Sequence, residues 1–168
     1  LRRTIAELLM PFIMMFNLRN SGIQNLKWDG IVWYSPTIFL GPLVKRLKKK
    51  SRCKSYLILR DIFPDWALDM GLISRGLPYL LFKAIAFYQY RIADSIGIQT
   101  EGNRKYLDFV VKRQGQKVQV LQNWLSQDLG NTPCSIDISR SSLKGRSIFV
   151  YAGNVGIAQG MDSLIHLV

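Results

Sequence analysis

The residues best suited to chemistry gather where an apolar run gives way to a polar loop. One such place is the glycine segment Tyr151-Ala152-Gly153-Asn154-Val155-Gly156-Ile157-Ala158-Gln159-Gly160-Met161, spaced G-x-x-G-x-x-x-G. Glycine lets a backbone approach a ligand closely, and a helix that follows offers free N–H groups at the positive end of its dipole. That arrangement suits a phosphate or diphosphate, although a plain tight strand-to-helix turn uses the same residues. The spacing is neither the dinucleotide fingerprint nor a P-loop, which ends in Gly-Lys-Ser/Thr. A second place is Arg60-Asp61. A carboxylate held at a strand end beside a guanidinium stays ionised and can orient a substrate hydroxyl. Its alternative role is a helix cap or a surface ion pair, which contributes little. Thr100-Glu101-Gly102 carries the same two readings, with the ion pair favoured for Glu101. His166 has no acidic or cysteine partner nearby and reads as a packing or surface residue. Trp33, Trp66 and Trp124 read as core and rim aromatics, with stacking on a sugar or base as the sharper alternative. The two cysteines, Cys53 and Cys134, are far apart and form no CxxC unit. With a single histidine beside them they exclude the usual structural zinc sites, and two unpaired thiols in a reducing compartment are favoured over one disulfide.

These loops need elements to hold them. Residues 4–18 read as a helix, apolar on almost every side, with Pro11 expected to kink or restart it. Residues 29–34 read as a buried strand, after which Ser35-Pro36 opens a helix with proline in its first turn. Leu40, Leu43, Val44 and Leu47 give that helix an apolar face at i, i+3, i+4, i+7. Further strands are expected at 56–60, 94–99 and 118–121. A loop covers 61–65, and Leu77 to Ile92 carry the pattern of an amphipathic helix. Another helix carries Tyr106, Leu107, Val110 and Val111. Residues 126–146 turn polar and read as a linker, followed by a fresh strand at 147–152 and a helix starting at Gly160. Strands alternating with helices predict an α/β fold with a parallel sheet. In such sheets ligands collect beyond the carboxyl ends of the strands. That rule selects Ser35-Pro36-Thr37, Arg60-Asp61, Thr100-Glu101-Gly102, Asn123-Trp124 and the loop after Tyr151.

Composition narrows the partners. The chain is 48% hydrophobic and 20% charged, which rules out a disordered tail or a low-complexity linker. Lys and Arg number 23 against 11 Asp and Glu, a net +12, so an anionic partner is expected. Lys45, Arg46, Lys48, Lys49, Lys50, Arg52 and Lys54 crowd one short stretch. Next to an apolar helix such a stretch suits an anionic membrane surface. Nucleic acid is disfavoured, since no helix-turn-helix, zinc finger or RNP-type strand accompanies the charge. The apolar run 8–16 is shorter than the roughly 20 residues that span a bilayer.

Taken together, Leu57-Ile58-Leu59-Arg60-Asp61-Ile62-Phe63-Pro64-Asp65, Gln122-Asn123-Trp124 and the segment from Phe149 to Gly160 resemble bacterial glycosyltransferases of family 4. The first resembles their RD-x-x-P-[DE] segment, the second the Asn-Trp ending the N-terminal domain, and the third the YAGN-x-G-x-x-QG opening of the second domain. The resemblance covers most of the chain. It implies the GT-B architecture, with two Rossmann-like domains. Residues 1–125 would be the later part of the N-terminal, acceptor-side domain, 126–146 the linker, and 147–168 the start of the nucleotide-sugar-binding domain. The chain would thus be an internal fragment, without turnover by itself.

The resemblance also implies a reaction. A sugar would pass from a nucleotide-sugar donor to a lipid-linked saccharide acceptor, at the inner face of the cell membrane, in O-antigen or capsule synthesis. No metal or other cofactor is expected, and retention of anomeric configuration is implied. The donor diphosphate would lie against Gly153, Asn154, Gly156, Gln159 and Gly160. Many relatives carry Arg and Lys where this chain has Asn154 and Gln159, and the Asn/Gln form is like the O-antigen and capsule subgroup. Catalytic work would fall to Asp61 with Arg60, although many relatives have a histidine in that neighbourhood. The acceptor cleft would include Ser35, Thr37, Thr100 and Glu101. The alternatives from another class are a non-catalytic basic module that binds an anionic membrane or nucleic acid, and an inactive gene remnant.

Overall fold

The computed structural model describes residues 2–35, 37–109, 115–123, 137–156 and 159–166. The chain divides into two compact units, Leu1–Asn123 and Trp124–Val168. The first unit carries helix α1 (Arg2–Arg19), strand β1 (Gly30–Tyr34), helix α2 (Gly41–Ser51) and strand β2 (Lys54–Leu59). Helices α3 (Asp65–Asp69) and α4 (Leu77–Ile92) follow, then strand β3 (Ser95–Ile98), a 3-10 helix (Glu101–Tyr106) and strand β4 (Lys117–Val120). The strands form one sheet in the order β1-β2-β3-β4, every pair parallel. This is the expected Rossmann-like α/β arrangement.

The register explains where the core lies. Trp33, Leu57 and Ile96 are aligned across three strands, as are Tyr34, Ile58 and Gly97 on the opposite face. Because strand order follows sequence order, crossovers of the usual hand put their helices on one side. That side is the core: Trp33, Leu57, Leu59, Ile96 and Ile98 are buried against Val44 of α2 and Ala86 and Tyr90 of α4. The other face is open along β1, with Val32 70% and Tyr34 49% exposed, while Gly97 on β3 is buried beneath Tyr56 and Leu121. Close packing needs glycine at two places. A Cβ on Gly41 would stand 3.0 Å from the Tyr88 ring, so α2 starts tight against α4. A Cβ on Gly97 would stand 2.4 Å from the Tyr56 hydroxyl, which crosses it to accept from Gln119 Nε2 at 2.8 Å.

Several local expectations need correction. The helix expected to open at Ser35-Pro36 begins at Gly41, with Pro42 in its first turn. The β1 ladder continues through the Ser35 N–H, which donates to the Ile58 carbonyl at 3.1 Å, so the chain is still extended there. Helix α1 runs without a break past Pro11. The 61–65 loop ends in the short helix α3. The helix expected to carry Tyr106, Leu107, Val110 and Val111 is a 3-10 helix as far as Tyr106, and residues 108–109 are α-helical. Val110 and Val111 lie outside the described residues.

In the second unit the expected strand at 147–152 does not form. Phe149 and Val150 are 80% and 84% exposed. A strand exists by pairing, and among the described residues no segment pairs with this one to complete its backbone hydrogen bonds. The described elements here are a 3-10 turn at Ile138–Arg140 and helix α5 (Met161–Ile165). Most of the 126–146 segment lies outside the described residues.

Candidate functional site

At the carboxyl ends of β1 and β2 the first unit encloses a cavity of about 430 Å³. Its polar wall comes from Thr37, after β1, and Asp61, after β2, with Thr4 and Glu7 of α1. Its apolar wall includes Ile38, Phe63, Trp66 and Phe82. Phe63 is the centre of that wall, with ring centroids 5.3 Å from Phe82 and 6.3 Å from Trp66. Asp61 is exposed and, among the described residues, makes no hydrogen bond or ion pair. Thr37 is buried, and among the described residues its hydroxyl has no hydrogen-bond partner. Trp66 is 37% exposed, as a stacking platform must be. The arrangement has an available carboxylate, an accessible indole and an apolar floor. It can accept a hydrogen bond from a hydroxyl while a ring packs on the apolar face of the same molecule.

Neighbouring side chains do structural work. The Arg60 guanidinium donates from Nη1 to the Leu121 carbonyl at 3.1 Å, tying the end of β2 to the end of β4. The buried Ser35 hydroxyl accepts from Gln89 Nε2 at 3.1 Å, joining the end of β1 to α4. Glu101 holds Arg104 through both carboxylate oxygens, Nη2 to Oε2 at 3.1 Å. Arg104 in turn donates to the Val118 carbonyl at 3.2 Å. The Arg104 hydrogen bond holds the Glu101 carboxyl below its ordinary value. Thr100 is exposed beside it. Of the residues proposed from sequence, the structure therefore brings Thr37 and Asp61 to one cavity, while Arg60, Ser35, Thr100 and Glu101 do not line it.

Sequence reasoning overlooked the contribution of α1, because Thr4 and Glu7 lie far from Asp61 in the chain and only packing brings them near. It named Asp65 as the end of the RD-x-x-P-[DE] segment but gave it no role. This residue is 9% exposed, pairs with Lys83 and accepts from the Tyr79 hydroxyl at 3.1 Å, which fixes α3 and Trp66 against α4. Burial first, and then the Asp65 charge, push the Tyr79 phenol above its ordinary value. The visible signal was an acid following proline at the start of a short apolar segment.

The glycine segment belongs to the second unit. Gly153, Asn154, Gly156, Gln159 and Gly160 are all exposed, and residues 157–158 lie outside the description. The Tyr151 hydroxyl donates to the Asn154 carbonyl at 2.9 Å, and the Gln159 N–H donates to the Gly156 carbonyl at 3.0 Å. Gly160 takes the left-handed conformation (φ 59°) at the entrance to α5. Helix α5 has only five residues, so its dipole is small and individual N–H groups must do most of any anion binding. His166 is exposed at the end of α5.

A larger cavity, about 510 Å³, sits at the amino ends of the strands around Asp94. That carboxylate is already committed to Lys48 at 2.6 Å, the Ser55 N–H at 2.7 Å and the Ser55 hydroxyl at 3.1 Å. It serves as a keystone of the fold. Among the described residues no group of three His, Cys, Asp or Glu side chains could hold a metal ion. Cys53 is a free thiol, and Cys134 and Trp124 lie outside the described residues. No described helix is long and apolar enough to cross a membrane.

No protein-family model matches the chain, and no solved structure does. Among curated proteins it matches "Putative colanic acid biosynthesis glycosyl transferase WcaI" of Escherichia coli (strain K12). The two are 22% identical over 149 residues, 84% of this chain and 37% of that relative. The chain thus spans little more than a third of the length of the protein it matches, and its sequence is similar to that of a glycosyltransferase.

Proposed function

We propose that the chain is the acceptor-side part, with the start of the donor-side part, of a nucleotide-sugar-dependent glycosyltransferase of family 4 and GT-B architecture. The observation that carries this reading is the exposed Asp61 carboxylate, without a partner among the described residues, at a cavity lined also by Trp66 at the carboxyl ends of parallel strands. Similarity to a glycosyltransferase points the same way. Asp61 would accept a hydrogen bond from the acceptor hydroxyl and aim its oxygen. Trp66 and Phe63 would pack against the apolar face of the acceptor sugar, and Thr37 would line the site. Arg60 would hold the end of the strand that leads into Asp61. The donor diphosphate would be held by backbone groups of Gly153, Asn154, Gly156 and Gly160 and by the Gln159 amide. In the transfer, the acceptor oxygen bonds to the anomeric carbon as the carbon–oxygen bond to the diphosphate breaks, and the hydroxyl proton passes to the departing diphosphate. We expect this without a metal and with retention of configuration. The acceptor is proposed to be a lipid-linked saccharide at the inner membrane face, in surface-polysaccharide synthesis of the O-antigen or capsule kind.

The test is an assay of the complete coding frame that contains these residues, with labelled nucleotide-sugars and a lipid-linked saccharide extract. The expected result is label in the lipid fraction, lost on Asp61→Asn and on Gly156→Asp. A Cβ at Gly156 would lie 2.9 Å from Gln159 Oε1, so an aspartate there displaces that amide and sets a negative charge beside the diphosphate. Full transfer by both variants overturns the reading.

A further inference from the structure

Helix α1 is the least buried apolar element of the first unit. Ile5, Leu8, Leu9, Phe12, Ile13 and Phe16 are between 47% and 66% exposed. They fall at i, i+3, i+4, i+7, i+8 and i+11, so they form one continuous exposed face, turned away from the side that carries the buried Pro11. Its other side is seated: Pro11 is fully buried, Thr4 and Glu7 line the cavity beside Asp61, and Met15, Leu18 and Arg19 face Leu43, Arg46, Leu47 and Lys50 of α2 across a small cavity of about 150 Å³. The Lys50 ammonium donates to the Gln24 carbonyl just beyond α1, which fastens the two helices together. The apolar helix therefore lies beside the most basic element of the chain.

The cations of α2 are not used up by the fold. Asp94 takes Lys48 and lies 3.6 Å from Lys54, and Lys45 stands over the Tyr88 ring. Arg46 and Lys49 are exposed and have no acidic partner among the described residues. Arg46 borders the α1 contact itself, and Lys49 lies one turn further along. Arg2 and Arg19 add exposed cations at the two ends of α1.

We propose that α1 and the exposed side of α2 form a docking surface for an anionic lipid bilayer. Helix α1 lies in the interfacial plane with its phenylalanines among the acyl chains, and Arg46 and Lys49 meet the headgroups. The balance of apolar area and positive charge selects this occupant. Apolar side chains gain by leaving water, and each cation near an anionic surface adds about a fivefold gain in partitioning. A second copy of the chain fits poorly, because two-fold pairing would bring Arg46 and Lys49 against their own counterparts. Since α1 is not suited to crossing a membrane, it would lie on the surface. The inference supplies the contact for the membrane-side location proposed above, but it rests on these two helices and not on catalysis.

The test uses the full 168-residue chain and vesicle sedimentation. Vesicles of phosphatidylcholine alone are compared with vesicles that also contain phosphatidylglycerol, at low and high salt. The expected result is binding that prefers the anionic vesicles and falls with salt. Arg46→Gln with Lys49→Gln should lower anionic partitioning about thirtyfold. Phe12→Ser with Phe16→Ser should lower it about tenfold or more on both vesicle types. All four positions are exposed, and circular dichroism confirms that the variants fold. Binding untouched by either pair overturns the proposal, as does a chain that stays in the supernatant with every vesicle. So does a dimer that the phenylalanine pair dissolves without any vesicle binding, which would assign α1 to a second copy. No donor or acceptor enters the experiment, so its failure leaves the transfer assay standing, and the reverse holds.

Discussion

Asp61 and Thr37 differ in what they contribute to folding, and that difference can be measured. Asp61 is exposed and unpartnered among the described residues, so Asp61→Asn should leave stability within about 0.5 kcal/mol. If it orients the acceptor hydroxyl, transfer by the complete enzyme should fall about a hundredfold or more. Thr37→Val removes a buried hydroxyl that has no partner among the described residues, so it should be neutral or slightly stabilising. Its effect on transfer should appear in the acceptor KM rather than in kcat. Urea unfolding and steady-state kinetics on the same variants separate the two roles. A loss of stability that parallels the loss of activity at Asp61 would make it a structural residue. From sequence alone, Asp61 was identifiable by its place at a strand end. Its freedom from partners, and the engagement of Arg60, Ser35 and Glu101 elsewhere, depended on which side chains lay within reach after folding.

At the scale of elements, the sheet is closed at its amino end by Asp94, which joins α2, β2 and the start of β3. Burial by itself would raise this carboxyl, but hydrogen bonds from Lys48 and from the Ser55 N–H and hydroxyl outweigh it, and the group titrates below its ordinary value. A depressed folded-state pKa stabilises the fold above the ordinary carboxylate range, and the contribution is lost as pH falls through the depressed value. Asp94→Asn should therefore cost about 1–3 kcal/mol near neutrality. The gap between variant and parent should narrow below about pH 4, where the unfolded carboxylate takes up its proton. Chemical denaturation across a pH series checks this, and a gap constant down to strong acid would assign the loss to packing. The periodicity of apolar residues located the four strands of the first unit and α4 to within a residue or two. It misplaced the start of α2, because Pro36 and Pro42 are equally good first-turn prolines and only the continuation of the β1 ladder through Ser35 distinguishes them.

At the scale of the whole molecule, the first unit is a parallel sheet covered on one face. Parallel sheets are ordinarily covered on both. Val32 and Tyr34 lie on the open face of β1, which is also an edge strand. An exposed apolar edge of this kind invites pairing with another chain. Val32→Lys should reduce self-association of the purified chain, read by light scattering against concentration. Its effect on unfolding free energy should stay within about 0.5 kcal/mol, since the side chain is already in water. Unchanged association would locate the sticky surface elsewhere, with α1 the next to test.

The alternation of apolar runs and helical stripes by itself determined the α/β class and the parallel sheet, because each period permits only one kind of element and short crossovers permit few topologies. Local composition also determined the basic character of α2 and the positions of the loops where ligands collect. Other features were decided only in three dimensions. The strand expected at 147–152 carried the right pattern, yet a strand is a relation between segments, and among the described residues no segment pairs with it. Thr4 and Glu7 joined Thr37 and Asp61 at one cavity because α1 packs near the strand ends, a proximity that no spacing along the chain records. Hydrophobic pattern acts locally and can be read residue by residue. Hydrogen-bond partners and cavities depend on long-range packing, which settles which polar groups remain available for chemistry.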